Sequence, residues 1–479
     1  MKLLVVDIGT SGVRAAVVTP EDGVVSSHHR EVLPSSPAPG MVEFDAVALA
    51  DAVVDVARVA SADAGEVAAV GIANQRASTV VWDRTTGEPV GPGLGWQDLR
   101  TVIDCLMLAG EGLRLAPNLL ATKAAHLWNE VDPDRSRDLC IGTVDSWVAW
   151  TLSQGAVHVT DATNAALYGL RTHDQQRWHA DALEILRLPE RSLPQVVDSI
   201  GVIGQATVLD GAPPIAGILG DQQASLLGQG CVAPGQAKVT FGTGGMLDLC
   251  LDERPAFETQ GSGGTFPIVT RGVGGGRRWG LEAVMLAAGT NIEWLRDDLG
   301  IIDSAADSHE VAARCASSDG VAYVPALLGL GAPIWDYGAR GALLGLTRGS
   351  GRPQIVRAVL EGIAQRAADL VEAAERDSGM QIPSLRVDGG MTANPTFLQA
   401  LADATARPIE VSPEREATTL GAAYAAGLAV GAWPDEQAIA SIWSPASVVE
   451  PAGTFDRERW ADTVRRAGEW FPDLSAISF

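Results

Sequence analysis

The chain has 479 residues, 46% hydrophobic and 20% charged, and its 35 Lys and Arg against 59 Asp and Glu give a net charge of −24. That balance excludes wholesale disorder, and the length predicts two or three domains. The negative field argues against nucleic acid and anionic membrane surfaces as partners, while leaving room for a small anionic ligand held by local amides.

The first predicted element is a strand over residues 3–7, an aliphatic run ending in Asp7-Ile8-Gly9-Thr10-Ser11-Gly12. Residues 13–18 read as a returning strand, so the pair makes a hairpin. Residues 67–73 form a strand that ends at Asn74-Gln75-Arg76, with residues 80–83 as its expected partner. A further apolar strand, residues 213–220, leads into Gly220-Asp221-Gln222-Gln223-Ala224, where a helix begins. Gly and Pro punctuate residues 230–235, which places the boundary between an N-terminal domain (1–230) and a C-terminal domain (231–479).

The opening pattern then returns. Lys238-Val239-Thr240-Phe241 leads into Gly242-Thr243-Gly244-Gly245 and a second apolar run, nearly half a chain beyond Gly9. Similarity at that spacing suggests two related domains facing each other. The glycine-rich stretches 261–264 and 272–276 are expected to flank a mobile hairpin. Residues 352–376 have apolar side chains at helical spacing (Ile355, Val359, Ile363, Ala367, Leu370), opened by Pro353. Residues 385–390 read as strand then glycine turn, and Asn394-Pro395 starts a last helix, residues 394–405. Strands alternating with helices imply the α/β class.

Several chemistries drop out. The five cysteines are scattered without a Cys-x-x-Cys pair, and the seven histidines show no metal-ligand spacing. No uncharged apolar stretch reaches the roughly 18 residues of a membrane span, and Asp7 interrupts the N-terminal run too early for a signal peptide. A cytoplasmic protein is expected. There is no Gly-x-Ser-x-Gly elbow and no Walker-type Gly-Lys-Ser.

What remains is a phosphate chemistry. Gly-Thr-Gly turns after strands bring backbone N–H groups together with no Cβ in the way, a concavity suited to phosphate oxygens. Beside the first turn, Asp7 could hold a divalent cation and Arg14 could reach a terminal phosphate. Asp221, at a strand end, could take a proton from a substrate hydroxyl as it attacks phosphorus, or could simply cap the helix that follows.

Together these residues resemble the FGGY carbohydrate kinases, the glycerol kinase branch above all. The resemblance runs over about residues 3–433 and rests on Gly71-Ile72-Ala73-Asn74-Gln75-Arg76, Gly142-Thr143-Val144-Asp145-Ser146-Trp147 and the run from His158 to Ala165. It also rests on residues 215–223, Gly331-Ala332-Pro333-Ile334-Trp335-Asp336, residues 341–361 and residues 387–394. It implies two ribonuclease-H-like domains, the actin-like ATPase arrangement, with a central cleft for MgATP and an acceptor. Under it Asp221 is the general base, and Gly9, Thr10, Ser11 and Arg14 face the transferring phosphate. Gly242, Thr243 and Gly244 hold the other phosphates, while Gly289, Gly390 and Asn394 lie along the nucleoside. Asp7 and Asp221 assist Mg²⁺, and Arg76, Ala77, Trp96, Asp221, Gln222 and Met246 line the acceptor. Related kinases imply a homodimer or homotetramer.

The departures gather at the acceptor. Ala77 stands where glycerol kinases carry a Glu that bonds glycerol, and Met246 stands where they carry an aromatic ring. Their Tyr before Thr-Lys corresponds to Asn118, in a segment (104–122) shorter than the family norm, and His126 replaces a signature Trp. A site that loses its hydroxyl partner loses discrimination on the order of 10⁴-fold. The expected activity is therefore ATP-dependent phosphorylation of a primary hydroxyl on a tetritol, pentitol or ketose. Glycerol itself is the alternative, and an actin-like ATPase device or a silent sugar sensor stands further off.

Overall fold

The computed structural model describes residues 1–414 and 416–477. Its N-terminal apolar run forms β1 (Leu3–Ile8) and returns as β2 (Gly12–Thr19), Leu3 opposite Val18 and Ile8 opposite Val13. β3 (Gly23–Glu31) extends the meander, and α1 (Ala46–Ala64) follows, its first amides capped by Asp45. β4 (Ala69–Asn74) then lies parallel to β1. β5 (Ile200–Gln205) and β6 (Pro214–Gly220) complete a six-stranded sheet, ordered β5-β6-β4-β1-β2-β3, and α2 (Asp221–Gly228) leaves its end.

The second half repeats this plan. β7 (Ala237–Phe241) and β8 (Gly245–Cys250) are an antiparallel hairpin, followed by β9 (Phe266–Val273) and β10 (Gly276–Met285). After α3 (Arg352–Ser378), β11 (Leu385–Asp388) lies parallel to β7, as β4 does to β1. Then come α4 (Pro395–Thr405), β12 (Ile409–Val411), α5 (Ala417–Val430) and β13 (Ser447–Val449), in a seven-stranded sheet ordered β9-β10-β8-β7-β11-β12-β13. The repeat seen in the sequence is thus a repeat of topology.

The central strands are apolar throughout because both faces are covered. Leu4, Val6 and Ile8 share a core with α1, whereas Leu3, Val5, Ala69 and Ala216 meet Ala422, Ala423 and Ala426 of α5. A helix from the second half of the chain therefore seals the first sheet. It also lies hard against α2: a Cβ on Gly228 or Gly421 would collide with the carbonyl of Ala417 or Ala224. Only glycine permits that approach.

Two expectations change. Residues 79–83 are a strand, but Thr79–Asp83 pairs with Leu139–Thr143 and Gly93–Leu94 in a separate four-stranded sheet rather than with β4. The cause is local: Ala77 adopts φ 63° and swings the chain out of the first sheet. The two glycine-rich stretches do not flank one hairpin either. Residues 261–264 fold over the end of α3, where Gly263 N donates to Asp377 Oδ1 (2.6 Å). Residues 272–276 are the β9–β10 tip, fastened to the first lobe by Gly272 N on Ser199 Oγ (2.9 Å) and Gly275 N on Asp198 Oδ2 (2.7 Å). Among the described residues no helix is long and apolar enough to cross a membrane.

Candidate active site

Each hairpin closes in a glycine turn. In the first, Gly9 N donates to Gly12 O (2.9 Å), closing a tight turn that leaves Gly9 and Ser11 exposed and Thr10 half-buried. In the second, Gly242 N donates to Gly244 O (3.0 Å), with Gly242 and Thr243 exposed. This turn is pressed onto the chain that follows β10. Ala288 N donates to Thr243 O (2.8 Å) and Gly289 N to Gly242 O (2.9 Å). A Cβ on Gly289 would sit 2.6 Å from Gly242 O, and one on Gly244 2.7 Å from Met285 O, so both positions require glycine.

Asp7 ends β1, half-buried, with Thr419 Oγ1 of α5 3.5 Å from its Oδ2. Loss of water pushes its pKa up to about 6; Arg14 pulls it back and the charge of Asp221 adds to the rise. Arg14, opposite Asp7 across the β1–β2 pair, is ion-paired with Glu416 just ahead of α5. The first turn thus carries charge of both signs.

Asp221 is the first residue of α2. Its side chain does not cap the helix, because Gly220 occupies the cap position; Asp221 Oδ1 accepts from Gln222 N (2.8 Å). The carboxylate is a third exposed, with Arg76 Nε 3.4 Å away. Burial raises its pKa, and the guanidinium of Arg76 offsets part of that rise. Gly220 is small for a reason: a Cβ there would meet Arg76 Cγ and Cδ at 2.7 Å.

Arg76 lies between the lobes, its Nη2 2.6 Å from Glu282 Oε2 on β10. Burial alone would lower its pKa, but Glu282 and Asp221 drive it above the ordinary guanidinium value. Ala77 is buried and offers a methyl group. Trp96, half-buried, donates from its ring nitrogen to Thr10 Oγ1 (3.3 Å) and from its backbone to Ser78 Oγ (2.9 Å). It therefore joins the segment after Ala77 to the first turn. Gln222 Oε1 accepts from Lys238 Nζ (2.6 Å), and Met246 is half-buried on β8 opposite Thr240.

Gly390 and Asn394 follow β11 of the second sheet. A Cβ on Gly390 meets nothing within 4 Å, so its backbone is open to a flat ligand. Asn394 is committed within the protein: its Oδ1 caps α4 at Phe397 N (3.0 Å) and its Nδ2 donates to Ser308 Oγ (2.9 Å). Asn118 is exposed, and its carbonyl accepts from the buried Lys123 (3.0 Å).

Three residues at this junction escape a reading of motifs: Lys238, Asp248 and Glu282, all buried. A signal was present, since Lys238 and Asp248 interrupt largely apolar strands and Glu282 interrupts the apolar end of β10. No group of three or more His, Cys, Asp or Glu that could hold a metal occurs among the described residues. Asp7 and Asp221 fit a Mg²⁺ that takes one or two carboxylates and completes its shell with phosphates and water.

A duplicated ribonuclease-H-like fold with a glycine turn after the first strand of each half is that of the actin-like sugar kinases. The chain belongs to the FGGY family of carbohydrate kinases: residues 2–228 match its N-terminal domain and residues 237–430 its C-terminal domain. It is 42% identical to the glycerol kinase of Aromatoleum aromaticum and 40% identical to glycerol kinase 2 of Thermotoga maritima, each alignment covering 98% of this chain and 99% of the relative. The solved Plasmodium falciparum glycerol kinase with ADP superposes with a TM-score of 0.88 at 26% identity, covering 100% of this chain and 99% of that one. A xylulose kinase from Brucella ovis (TM-score 0.86, 24% identity, 100% of each chain) shares the fold. The protein is an ATP-dependent sugar or polyol kinase.

Proposed function

We propose that the chain transfers the γ-phosphoryl group of ATP to a primary hydroxyl of glycerol. The observation that carries this is the full-length likeness to glycerol kinases at 40–42% identity, supported by the pairing of Asp221 with Arg76. Asp221 accepts the proton of the acceptor hydroxyl while that oxygen bonds to phosphorus and the bond to the β-phosphate bridging oxygen breaks, releasing ADP. Its raised pKa makes it a stronger base than a solvated carboxylate. Gly9, Thr10, Ser11 and Arg14 lie where the transferring group passes, and Gly242, Thr243 and Gly244 hold the remaining phosphates through backbone amides. Gly289, Gly390 and Asn394 border the nucleoside. Asp7 and Asp221 would hold Mg²⁺, which neutralises phosphate charge when bound. Arg76, Trp96, Gln222 and Met246 surround the acceptor.

A second reading is a longer acceptor, a four- or five-carbon polyol or ketose. The methyl of Ala77 and the thioether of Met246 favour it, standing where the glycerol kinase pattern has a carboxylate and a ring. Coupled ADP release across C3–C6 polyols and ketoses separates the two. Glycerol should give the highest kcat/KM; a pentitol or ketose ahead of it would replace the first reading with the second, and acceptor-independent release would replace both.

A further inference from the structure

The face of the second sheet turned toward the first lobe carries an ionic row. In the register of β7, β8 and β10, Lys238 stands opposite Asp248 and Asp248 opposite Glu282. The next row toward the glycine turn is Thr240, Met246 and Val284. The charges therefore lie one step beneath Met246. Lys238 and Asp248 are fully buried and 2.7 Å apart, and Glu282 is 7% exposed.

Two first-lobe side chains are held by this row. Arg76 Nη2 pairs with Glu282 (2.6 Å), and Gln222 Oε1 accepts from Lys238 (2.6 Å), which also donates to Thr240 Oγ1 (2.9 Å). Arg76 Nε faces Asp221 at 3.4 Å. That leaves Nη1, which is buried and has no hydrogen-bond partner among the described residues. A buried guanidinium nitrogen without a partner costs free energy unless a ligand supplies an oxygen.

From this we infer that Glu282 is a positioning residue for the acceptor: anchored on the second lobe, it fixes the guanidinium of Arg76 so that Nη1 is presented to an acceptor hydroxyl. The inference rests on the reading of Arg76 as an acceptor ligand. It gives the pocket a carboxylate that acts through Arg76, in a chain whose residue 77 has none. Acceptor binding then depends on the lobes being together, since the ligand comes from one and its support from the other.

The test is a double-mutant cycle on whichever acceptor the wild-type enzyme phosphorylates, so that failure of the glycerol reading appears separately, as absent glycerol turnover in the wild type. Glu282→Gln should raise the acceptor KM about tenfold or more, as loss of an ionic support to a hydrogen-bond donor does, and move the KM for ATP less than about twofold. Glu282→Asp, which keeps the charge, should recover part of that loss and serves as the readout if Glu282→Gln does not fold. In an Arg76→Met background Glu282→Gln should add no further change in acceptor KM. An equal effect on both substrates, an unchanged acceptor KM, or full additivity with Arg76→Met would overturn the assignment.

Discussion

In the first lobe the turn between β1 and β2 is flanked by Asp7 and Arg14; a Cβ on Gly9 would meet only Gly12 O, at a relaxed 3.7 Å, whereas one on Gly12 would meet Arg30 O at 2.7 Å. In the second lobe the corresponding flanks of the turn between β7 and β8 are the uncharged Thr240 and Met246, and the backbone of residues 285–289 is packed against the turn. One topology thus carries two chemistries. The turn flanked by charge suits a group that changes charge as it moves, while the neutral turn, backed by residues 285–289, suits phosphates that must be held in place. Asp221, at the start of α2, belongs to neither turn.

The largest expected effect separates that acid from both turns. Asp221→Asn keeps the size of the side chain and removes the base, so kcat should fall about 10²- to 10⁴-fold. Nucleotide affinity, followed by titration with ADP, should stay close to wild type because the turns are untouched. Undiminished turnover would take the base role from Asp221.

The contrast between the turns can be tested by adding one carbon to each. Gly244→Ala puts a methyl 2.7 Å from Met285 O, and Gly289→Ala puts one 2.6 Å from Gly242 O, both against backbone that cannot step aside. Overpacking of this kind costs about 1–3 kcal/mol, which at the site should appear as a rise in the KM for ATP of about tenfold or more. Gly9→Ala should change that KM much less. Equal sensitivity of the three positions would erase the distinction.

Much of this was legible in the chain because the signals are local. An aliphatic run closed by Gly-Thr-Ser-Gly, or by Gly-Thr-Gly-Gly, specifies its own hairpin, and Asp221 was visible at the junction of a strand and a helix. What could not be read depended on partners far along the chain. Thr79–Asp83 was recognisable as a strand, yet its neighbour, Leu139–Thr143, follows from the backbone turn at Ala77. Lys238, Asp248 and Glu282 form a row only once three strands are in register, and their purpose emerges only where Arg76 and Gln222 arrive from the other lobe. The cap at α2 was ambiguous until Gly220, and not Asp221, was found to occupy it.

The smallest expected effect distinguishes the lobes by pH. The core of the first lobe encloses His158 edge-on to Trp82 (5.1 Å) and Trp150 (6.2 Å), with its Nε2 3.0 Å from Ile141 O. The edge-on pair Phe241–Phe397 in the second lobe (4.9 Å) has no titratable atom. Burial lowers the His158 pKa from 6.5 to about 4, so the folded protein keeps the ring neutral where the unfolded chain would protonate it. At this group the unfolded state then binds more protons between those values, so the contribution of His158 to stability falls as pH drops from 6.5 toward 4. His158→Gln keeps a donor for Ile141 O and removes the titration. Melting followed by tryptophan fluorescence across that range should show a shallower acid slope in the variant than in the wild type. Parallel slopes would mean that acid acts on the molecule through some other group, and that the two cores do not differ in this respect.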